Sequence, residues 1–252
     1  MIEDLSILTR KGLPPDLTIA YGSDPDQVAD VRYGQRGADL PLVVLIHGGF
    51  WKPQYDRSHT EAMASALAVA GWTVLTLEYR RIPGQPNCTL QDIATALEKL
   101  PAMVEQHNGK AILVGHSAGG HLALWAAAKC IAHANAGYTL HGVLGLAPAA
   151  DLRLAHALHL GDGAVHTFLG TDPAARPDVD PMQLPAPTVP VTILQGGADA
   201  IVPLSVASSY CAAFPKTRQV PLPECGHFAV IDPASSAWPS LVLELRTLSD
   251  NE

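Results

Sequence analysis

The sequence predicts an α/β fold with a mostly parallel sheet flanked by helices, because buried-strand patterns alternate with longer helical ones. Residues 42–46 (LVVLI) and 111–114 (AILV) are uninterrupted apolar runs, as expected of parallel strands that are covered on both faces. Each run is followed by an Ala/Leu-rich stretch that indicates a helix, at residues 61–70 and 118–132. Alternation of this kind produces βαβ units and therefore a parallel sheet.

The remaining elements bring the predicted sheet to about eight strands. The further strands are residues 17–21, 28–33, 73–79, 142–146, 191–194 and 220–222. The first two of these should be exposed and could form a hairpin. The further helices are residues 89–104, 203–213 and 235–248, with a break expected at Pro101 in the first of them.

One stretch interrupts the alternation. Residues 152–190 are rich in Pro, Asp and Gly and have no strong periodicity. Long irregular segments inside compact domains usually carry function or move, so we predict a short cap over the carboxyl ends of the strands. A plain surface excursion is the alternative. The chain as a whole, residues 1–252, has the length of one α/β domain.

Composition narrows the class of protein. With 48% hydrophobic and 16% charged residues, the chain should build a large packed core. A formal net charge of -8 argues against nucleic acid or anionic membrane as a partner. No secretory signal and no run of 18 apolar residues is visible, so a cytoplasmic location is expected. The oligomeric state is open, with a homodimer among the options.

The four cysteines are expected to be free thiols. Cys88, Cys130, Cys211 and Cys225 are far apart and form no CxxC pair, and a large core does not depend on disulfides.

The strongest functional signal is the sequence GHSAG at residues 115–119. It fits G-x-S-x-G, and it lies between a predicted strand and a predicted helix, which is the context of a nucleophile elbow. Ser117 is the predicted nucleophile. Gly115 and Gly119 fit because larger side chains would collide with the adjacent strand and helix. The backbone N–H of Ala118, at a helix N-terminus, is a predicted oxyanion donor.

A second signal, HGGFW at residues 47–51, directly follows the strand LVVLI. An oxyanion hole needs backbone N–H groups that face empty space, and glycines allow a substrate to approach them closely. Gly48 and Gly49 are therefore the other predicted donors. His47 comes too early in the chain order for a catalytic base and is expected to hold the loop by hydrogen bonds.

The acid and the base are predicted after the last two strands. Asp199 ends the sequence GGAD after residues 191–194, and His227 lies in CGHF after residues 220–222. The order Ser117, Asp199, His227 is that of a Ser-Asp-His triad on this kind of sheet. Asp151, which also follows a strand, is the main rival acid, and Asp232 is a second one.

These motifs together resemble the α/β-hydrolase superfamily over nearly the whole chain. The chain is most similar to the kynurenine formamidase (arylformamidase) and small carboxylesterase branch, as indicated by the motifs HGGFW, GHSAGGHLALW, YRRIP and CGHF. The resemblance implies a serine hydrolase that cleaves a small-acyl ester or an aryl formamide through an acyl-enzyme, with no metal and no cofactor. Acyl transfer by the same triad, or a non-catalytic ligand-binding relative, are the alternatives. The hormone-sensitive-lipase branch has a third glycine where this chain has Phe50.

Aromatic residues beside the catalytic loops are candidates for the substrate pocket. They are expected to give a small acyl side and an apolar leaving-group side, with simple loop packing as the alternative for each. The five residues are Phe50, Trp51, Tyr55, Phe168 and Phe228.

Two groups of basic residues have competing interpretations. Arg80 and Arg81 could bind a substrate carboxylate, but pairing with acids such as Glu78 or Asp92 is favoured. The three histidines of the 152–190 segment are expected to be solvated or packed rather than to bind zinc, because no nearby Cys or Glu completes a ligand set.

Overall fold

An eight-stranded sheet forms the centre of the protein in the computed structural model, which describes residues 3–129 and 137–250. The strand order is β1-β2-β4-β3-β5-β6-β7-β8. The strands β3 to β8 run parallel, whereas β1 pairs antiparallel with β2 and β2 antiparallel with β4. Their bounds are β1 Leu17–Ala20, β2 Val28–Arg32, β3 Leu42–Ile46, β4 Val74–Leu77, β5 Lys110–His116, β6 Thr139–Leu146, β7 Val191–Gly196 and β8 Arg218–Leu222.

The predicted α/β fold with about eight strands is confirmed, and so is the hairpin formed by β1 and β2. The expectation that both hairpin strands are exposed is wrong for β2. This strand lies between β1 and β4, so its residues from Ala29 onward are buried. β1 is the edge strand, and its burial alternates along the chain as expected for a half-exposed strand.

Helices cover both faces of the sheet. Their bounds are α1 Glu61–Val69, α2 Pro86–Lys99, α3 Ala118–Ala128, α4 Leu152–Ala157, α5 Leu160–Leu169, α6 Leu204–Ala213 and α7 Trp238–Asp250. α2 begins on Pro86, which needs no intrahelical N–H partner there, and it ends before Pro101 as predicted. Residues 130–132 of the predicted 118–132 helix lie outside the described residues.

The strand β3 shows why an unbroken apolar run is needed at the centre of the sheet. Leu42, Val44 and Ile46 belong to the apolar cluster on one face, whereas Val43 and Leu45 belong to the cluster on the other. All five side chains are fully buried. Helix α3, which follows the predicted nucleophile, is buried along its whole length, so its Ala- and Leu-rich sequence has no polar face.

The 152–190 segment contains α4, α5 and two short 3-10 turns. It packs on helix α3, because His121 Nε2 lies 2.9 Å from the Val179 carbonyl oxygen and Trp125 Nε1 donates to the Asp178 carbonyl at 3.1 Å. That the segment acts as a cap stays a prediction.

Other expectations concern cysteines, metals and membranes. Cys88, Cys211 and Cys225 are free thiols, and Cys130 lies outside the described residues. In residues 3–129 and 137–250, no cluster of three or more His, Cys, Asp or Glu side chains is arranged to hold a metal ion. Within the same ranges, no helix has the length and apolar character that crossing a membrane requires.

Candidate active site

Ser117 occupies a sharp turn between β5 and α3. Its backbone has φ 54° and ψ -117°, a conformation that costs an ordinary residue on the order of 1–3 kcal/mol. Hydrogen bonds to the neighbouring strand hold it there: the Ser117 N–H donates to the Leu146 carbonyl at 2.9 Å, and its carbonyl accepts from the Ala149 N–H at 3.0 Å. A Cβ on Gly119 would collide with the Ile46 carbonyl oxygen, which is why the turn needs glycine at that position.

The loop after β3 passes directly beside Ser117. A Cβ on Gly48 would lie 2.9 Å from the Ser117 Cβ, so only glycine lets the two backbones come this close. Gly49, Phe50 and Trp51 follow with φ values of 108°, 51° and 54°. Three consecutive residues at positive φ, two of them bulky aromatics, mark a strained turn of the kind that clusters at functional sites. Ala118 begins α3 on the other side of the serine.

A buried charged network holds this loop from beneath. His47 Nε2 lies 3.0 Å from Glu78 Oε1, and the Arg57 N–H donates to Glu78 Oε2 at 2.9 Å. Arg81 pairs with the same carboxylate. Burial alone would raise the pKa of Glu78, but the hydrogen bond from His47 and the charge of Arg81 outweigh it and lower the pKa to about 2. As expected, His47 is a structural residue of the loop.

Trp51 and Phe168 were predicted as pocket residues, but neither lines the cavity beside Ser117 and His227. Their rings stack with centroids 4.7 Å apart and both side chains are buried. The His121 ring packs nearly perpendicular to the Trp51 ring, with the two centroids 5.2 Å apart. The two aromatics therefore tie the HGGFW loop to α5, which belongs to the 152–190 segment.

Asp199 and His227 meet at the carboxyl ends of β7 and β8. His227 Nδ1 lies 2.7 Å from Asp199 Oδ2, and both side chains are buried. The other carboxylate oxygen of Asp199 accepts backbone N–H groups of Ile201 and Val202, each at 2.8 Å. These bonds fix the carboxylate plane, so that the aspartate can orient the imidazole.

Gln195 is a member of this arrangement that the sequence analysis missed. Its Nε2 donates to Asp199 Oδ2 at 3.0 Å and to the Val202 carbonyl at 3.0 Å. The signal available in the sequence was a polar residue at the end of the apolar strand VTILQ, immediately before the GGAD turn.

The two rival acids have other partners. Asp151 is the N-cap of α4, where it accepts from the Leu154 N–H at 2.9 Å, and it also accepts from Ser209 Oγ at 2.6 Å. Asp232 pairs with Arg10. Of the three candidate acids, Asp199 is the one that contacts His227.

Ser117 and His227 face the same cavity, of about 230 Å³. Of the predicted pocket residues, Phe50, Tyr55 and Phe228 line it. The described residues that line it are Leu5, Leu8, Gly49, Phe50, Tyr55, His59, His116, Ser117, Ile201, His227 and Phe228.

Two lining histidines, His59 and His116, were not predicted as site residues. Burial lowers the pKa of His59 to about 4, and burial together with the neighbouring His227 lowers the pKa of His116 well below its usual range. Both rings are therefore neutral at pH 7. The centroid of the His116 ring lies 4.7 Å from that of the His227 ring, and His116 Nε2 is 3.1 Å from the His227 carbonyl oxygen, so His116 packs against His227.

A residue from the start of the described chain also reaches the site. Glu3 Oε1 accepts the backbone N–H of His227 at 2.6 Å. A side chain on Gly226 would collide with this carboxylate. The contact joins residues 224 positions apart and leaves no local pattern in the sequence.

The favoured pairing of the two arginines is confirmed. Arg80 binds Asp92 through Nε at 2.8 Å and through Nη2 at 2.6 Å, and Arg81 pairs with Glu78. Both guanidinium groups are thus engaged by buried carboxylates.

Comparisons with known proteins agree with this architecture. Residues 30–212 match the model of the BD-FAE family. The chain is 33% identical over 111 residues to esterase LipC of Mycobacterium tuberculosis, covering 41% of this chain and 27% of the relative. It is 29% identical over 110 residues to the kynurenine formamidase of Salmo salar, covering 42% and 36% of the two chains. The matched parts are thus less than half the length of either relative.

A solved structure extends the likeness to the whole fold. The crystal structure of esterase B from Lactobacillus rhamnosis, inhibited by a tributyrin phosphonate, superimposes with a TM-score of 0.75 at 23% identity, covering 94% of this chain and 87% of that one. The family match, over residues 30–212, covers most of the chain. The chain therefore belongs to the BD-FAE family of α/β-hydrolases.

Proposed function

We propose that the protein is a serine hydrolase that cleaves uncharged esters with a small acyl group, with aryl formamides as a second substrate class. The proposal depends on one observation: His227, whose Nδ1 lies 2.7 Å from Asp199 Oδ2, lines the same cavity as Ser117. The esterase and formamidase relatives support the same class of chemistry.

In the proposed reaction, His227 removes the proton of Ser117 Oγ while this oxygen attacks the carbonyl carbon of the ester. Asp199 holds Nδ1 of the imidazole, which leaves Nε2 for the serine. The alcohol departs with the proton that His227 returns to it. Water then attacks the acyl-enzyme with His227 as base again, and the acid is released.

Charge that develops on the carbonyl oxygen needs donors beside Ser117. The proposed donors are the backbone N–H groups of Gly48, Gly49 and Ala118, which belong to the loop and the helix end that flank the serine. Removing one such donor in a serine hydrolase costs about 2.7–4 kcal/mol of transition-state stabilisation.

The character of the pocket favours uncharged substrates. None of the described residues that line the cavity is Lys or Arg, and its two accessory histidines are neutral because burial lowers their pKa values. Arg80 and Arg81 are paired with Asp92 and Glu78. A substrate carboxylate, such as that of N-formylkynurenine, would lose its hydration without gaining a cation.

The test compares p-nitrophenyl acetate, formanilide and N-formylkynurenine as substrates of the wild-type protein and of Ser117→Ala. We expect the acetate to be the best substrate and N-formylkynurenine the poorest. Loss of the nucleophile should lower kcat by about 10³-fold or more without changing the urea midpoint. Ser209→Ala, a matched serine outside the cavity, should keep wild-type rates. Residual activity of more than a few per cent in Ser117→Ala would contradict the mechanism, and a preference for N-formylkynurenine would contradict the uncharged substrate.

A further inference from the structure

Residues 3–10, here called the wall segment, lie against the catalytic cavity. A 3-10 helical turn at Ser6–Thr9 forms half of the segment, and the Leu8 N–H donates to the Leu5 carbonyl at 3.1 Å. In such a turn the side chains at i and i+3 lie on the same side. Leu5 and Leu8 accordingly both line the cavity, while Ile7 is buried in the apolar core beneath the turn.

Both ends of the wall segment are attached to the part of the chain that carries His227. Glu3 accepts the His227 N–H at 2.6 Å, and Arg10 pairs with Asp232, five positions after that histidine. The Arg10 side chain also donates to Ser6 Oγ at 3.0 Å, which braces the turn internally. With Ile7 inserted in the core, the segment is fixed at three points.

These attachments place Leu5 and Leu8 on a particular side of the substrate. His227 returns a proton to the departing alcohol, so the alcohol portion of the ester must lie next to His227. The wall segment is bonded to the same loop. Leu5 is 54% exposed, which leaves most of its apolar surface free to contact whatever occupies the cavity.

We propose that the wall segment forms the binding surface for the alcohol portion of the ester, and that Leu5 and Leu8 set the preference for its apolar length. The inference rests on the proposed esterase function. It assigns a specificity role to residues that lie more than 100 positions from the nucleophile in sequence.

The experiment uses the full chain and two substrate series. Ethyl, butyl and hexyl acetate vary the alcohol, while p-nitrophenyl acetate, butyrate and hexanoate vary the acyl group. The variants are Leu5→Ala, Leu8→Ala and the double variant. The matched control is Leu13→Ala, which truncates a leucine that is 64% exposed and does not line the cavity.

We expect the ratio of kcat/KM for hexyl over ethyl acetate to fall about tenfold in the double variant, the lower end of what one methylene is worth in an apolar pocket. The corresponding acyl ratio should change less, and Leu13→Ala should stay within about twofold of wild type in both series. Each ratio is measured within one variant, so a partly unfolded preparation does not alter it.

An alcohol ratio that stays at the wild-type value, or an acyl ratio that changes more than the alcohol ratio, would overturn the role of the wall segment while leaving the esterase proposal intact. If the wild-type protein hydrolyses no ester of either series, the proposed function fails first and the inference with it.

Discussion

The two sides of Ser117 are held in different ways. On the oxyanion side, the HGGFW loop lies on a buried network of His47, Glu78 and Arg81 and is fastened by the stacked rings of Trp51 and Phe168. On the acid–base side, Asp199 and His227 are held by single hydrogen bonds to backbone groups, to Gln195 and to Glu3.

The difference follows from what each side must do. The oxyanion loop has three consecutive residues at positive φ, and such strain persists only where surrounding contacts over-determine the conformation. Among the described residues, the acid–base side has no such series of residues at positive φ. Its hydrogen bonds have to orient the Asp199 and His227 side chains and do not have to hold a strained backbone in place. We therefore expect substitutions on the oxyanion side to affect folding strongly, and substitutions on the acid–base side to affect turnover strongly.

The largest expected effect is on the acid–base side. Asp199→Asn should lower kcat by about 10⁴-fold, because an amide in place of the carboxylate favours the wrong imidazole tautomer. Steady-state kinetics with p-nitrophenyl acetate measures it. Asp151→Asn, which changes the rival acid at an N-cap, serves as the control and should retain wild-type kcat. Equal losses in the two variants would argue against Asp199 as the carboxylate that orients His227.

The next effect should appear on the oxyanion side. Glu78→Gln removes the buried carboxylate that pairs with Arg81 and leaves this buried cation, among the described residues, only a 3.6 Å ion pair with the more exposed Asp26; loss of one partner of a buried ion pair costs about 3–5 kcal/mol of unfolding free energy. Urea denaturation measures the loss. Glu244→Gln weakens an ion pair with the exposed Arg218 and should cost less than about 1 kcal/mol. The comparison of the two sides fails if Glu78→Gln is as stable as this control.

A smaller, pH-dependent effect should also appear on the oxyanion side. Burial lowers the pKa of His121, which packs on Trp51, from its usual 6.5 to about 4 in the folded protein. The unfolded chain therefore binds the extra proton first. The stabilisation is complete above pH 6.5 and is lost as the pH falls toward 4, by about 3 kcal/mol in all.

His121→Gln keeps a donor for the Val179 carbonyl but does not titrate. Its unfolding free energy should fall less between pH 7 and pH 4 than that of the wild-type protein, as measured by urea denaturation at both pH values. Parallel losses in the two proteins would show that His121 is not a source of the acid sensitivity.

The elements that could be predicted from sequence are those with a local signature. The elbow at Ser117 needs a strand, small residues and a helix in immediate succession, and all three are visible in AILVGHSAGG. The strand β3 could be predicted as buried because a strand that is covered on both faces is an unbroken apolar run in the sequence, here LVVLI. Asp199 and His227 each follow a strand, and their order in the chain after Ser117 is what made them the predicted acid and base.

The features that could not be predicted depend on direction or on distant contacts. Proximity to a catalytic loop does not tell which way a side chain points. Phe50 lines the cavity, whereas Trp51, the next residue, is packed against Phe168. Glu3 contacts His227, which lies 224 positions later in the sequence, and neither periodicity nor a motif predicts such a contact.

The backbone of Ser117 has a consequence for how this protein could evolve. A glycine at this position would adopt φ 54° with far less strain, so Ser117→Gly is expected to raise the thermal unfolding midpoint while abolishing the proposed activity. Selection for thermal stability alone would thus favour loss of the proposed nucleophile. Libraries screened for heat resistance need a simultaneous activity screen, since the two demands oppose each other at this residue.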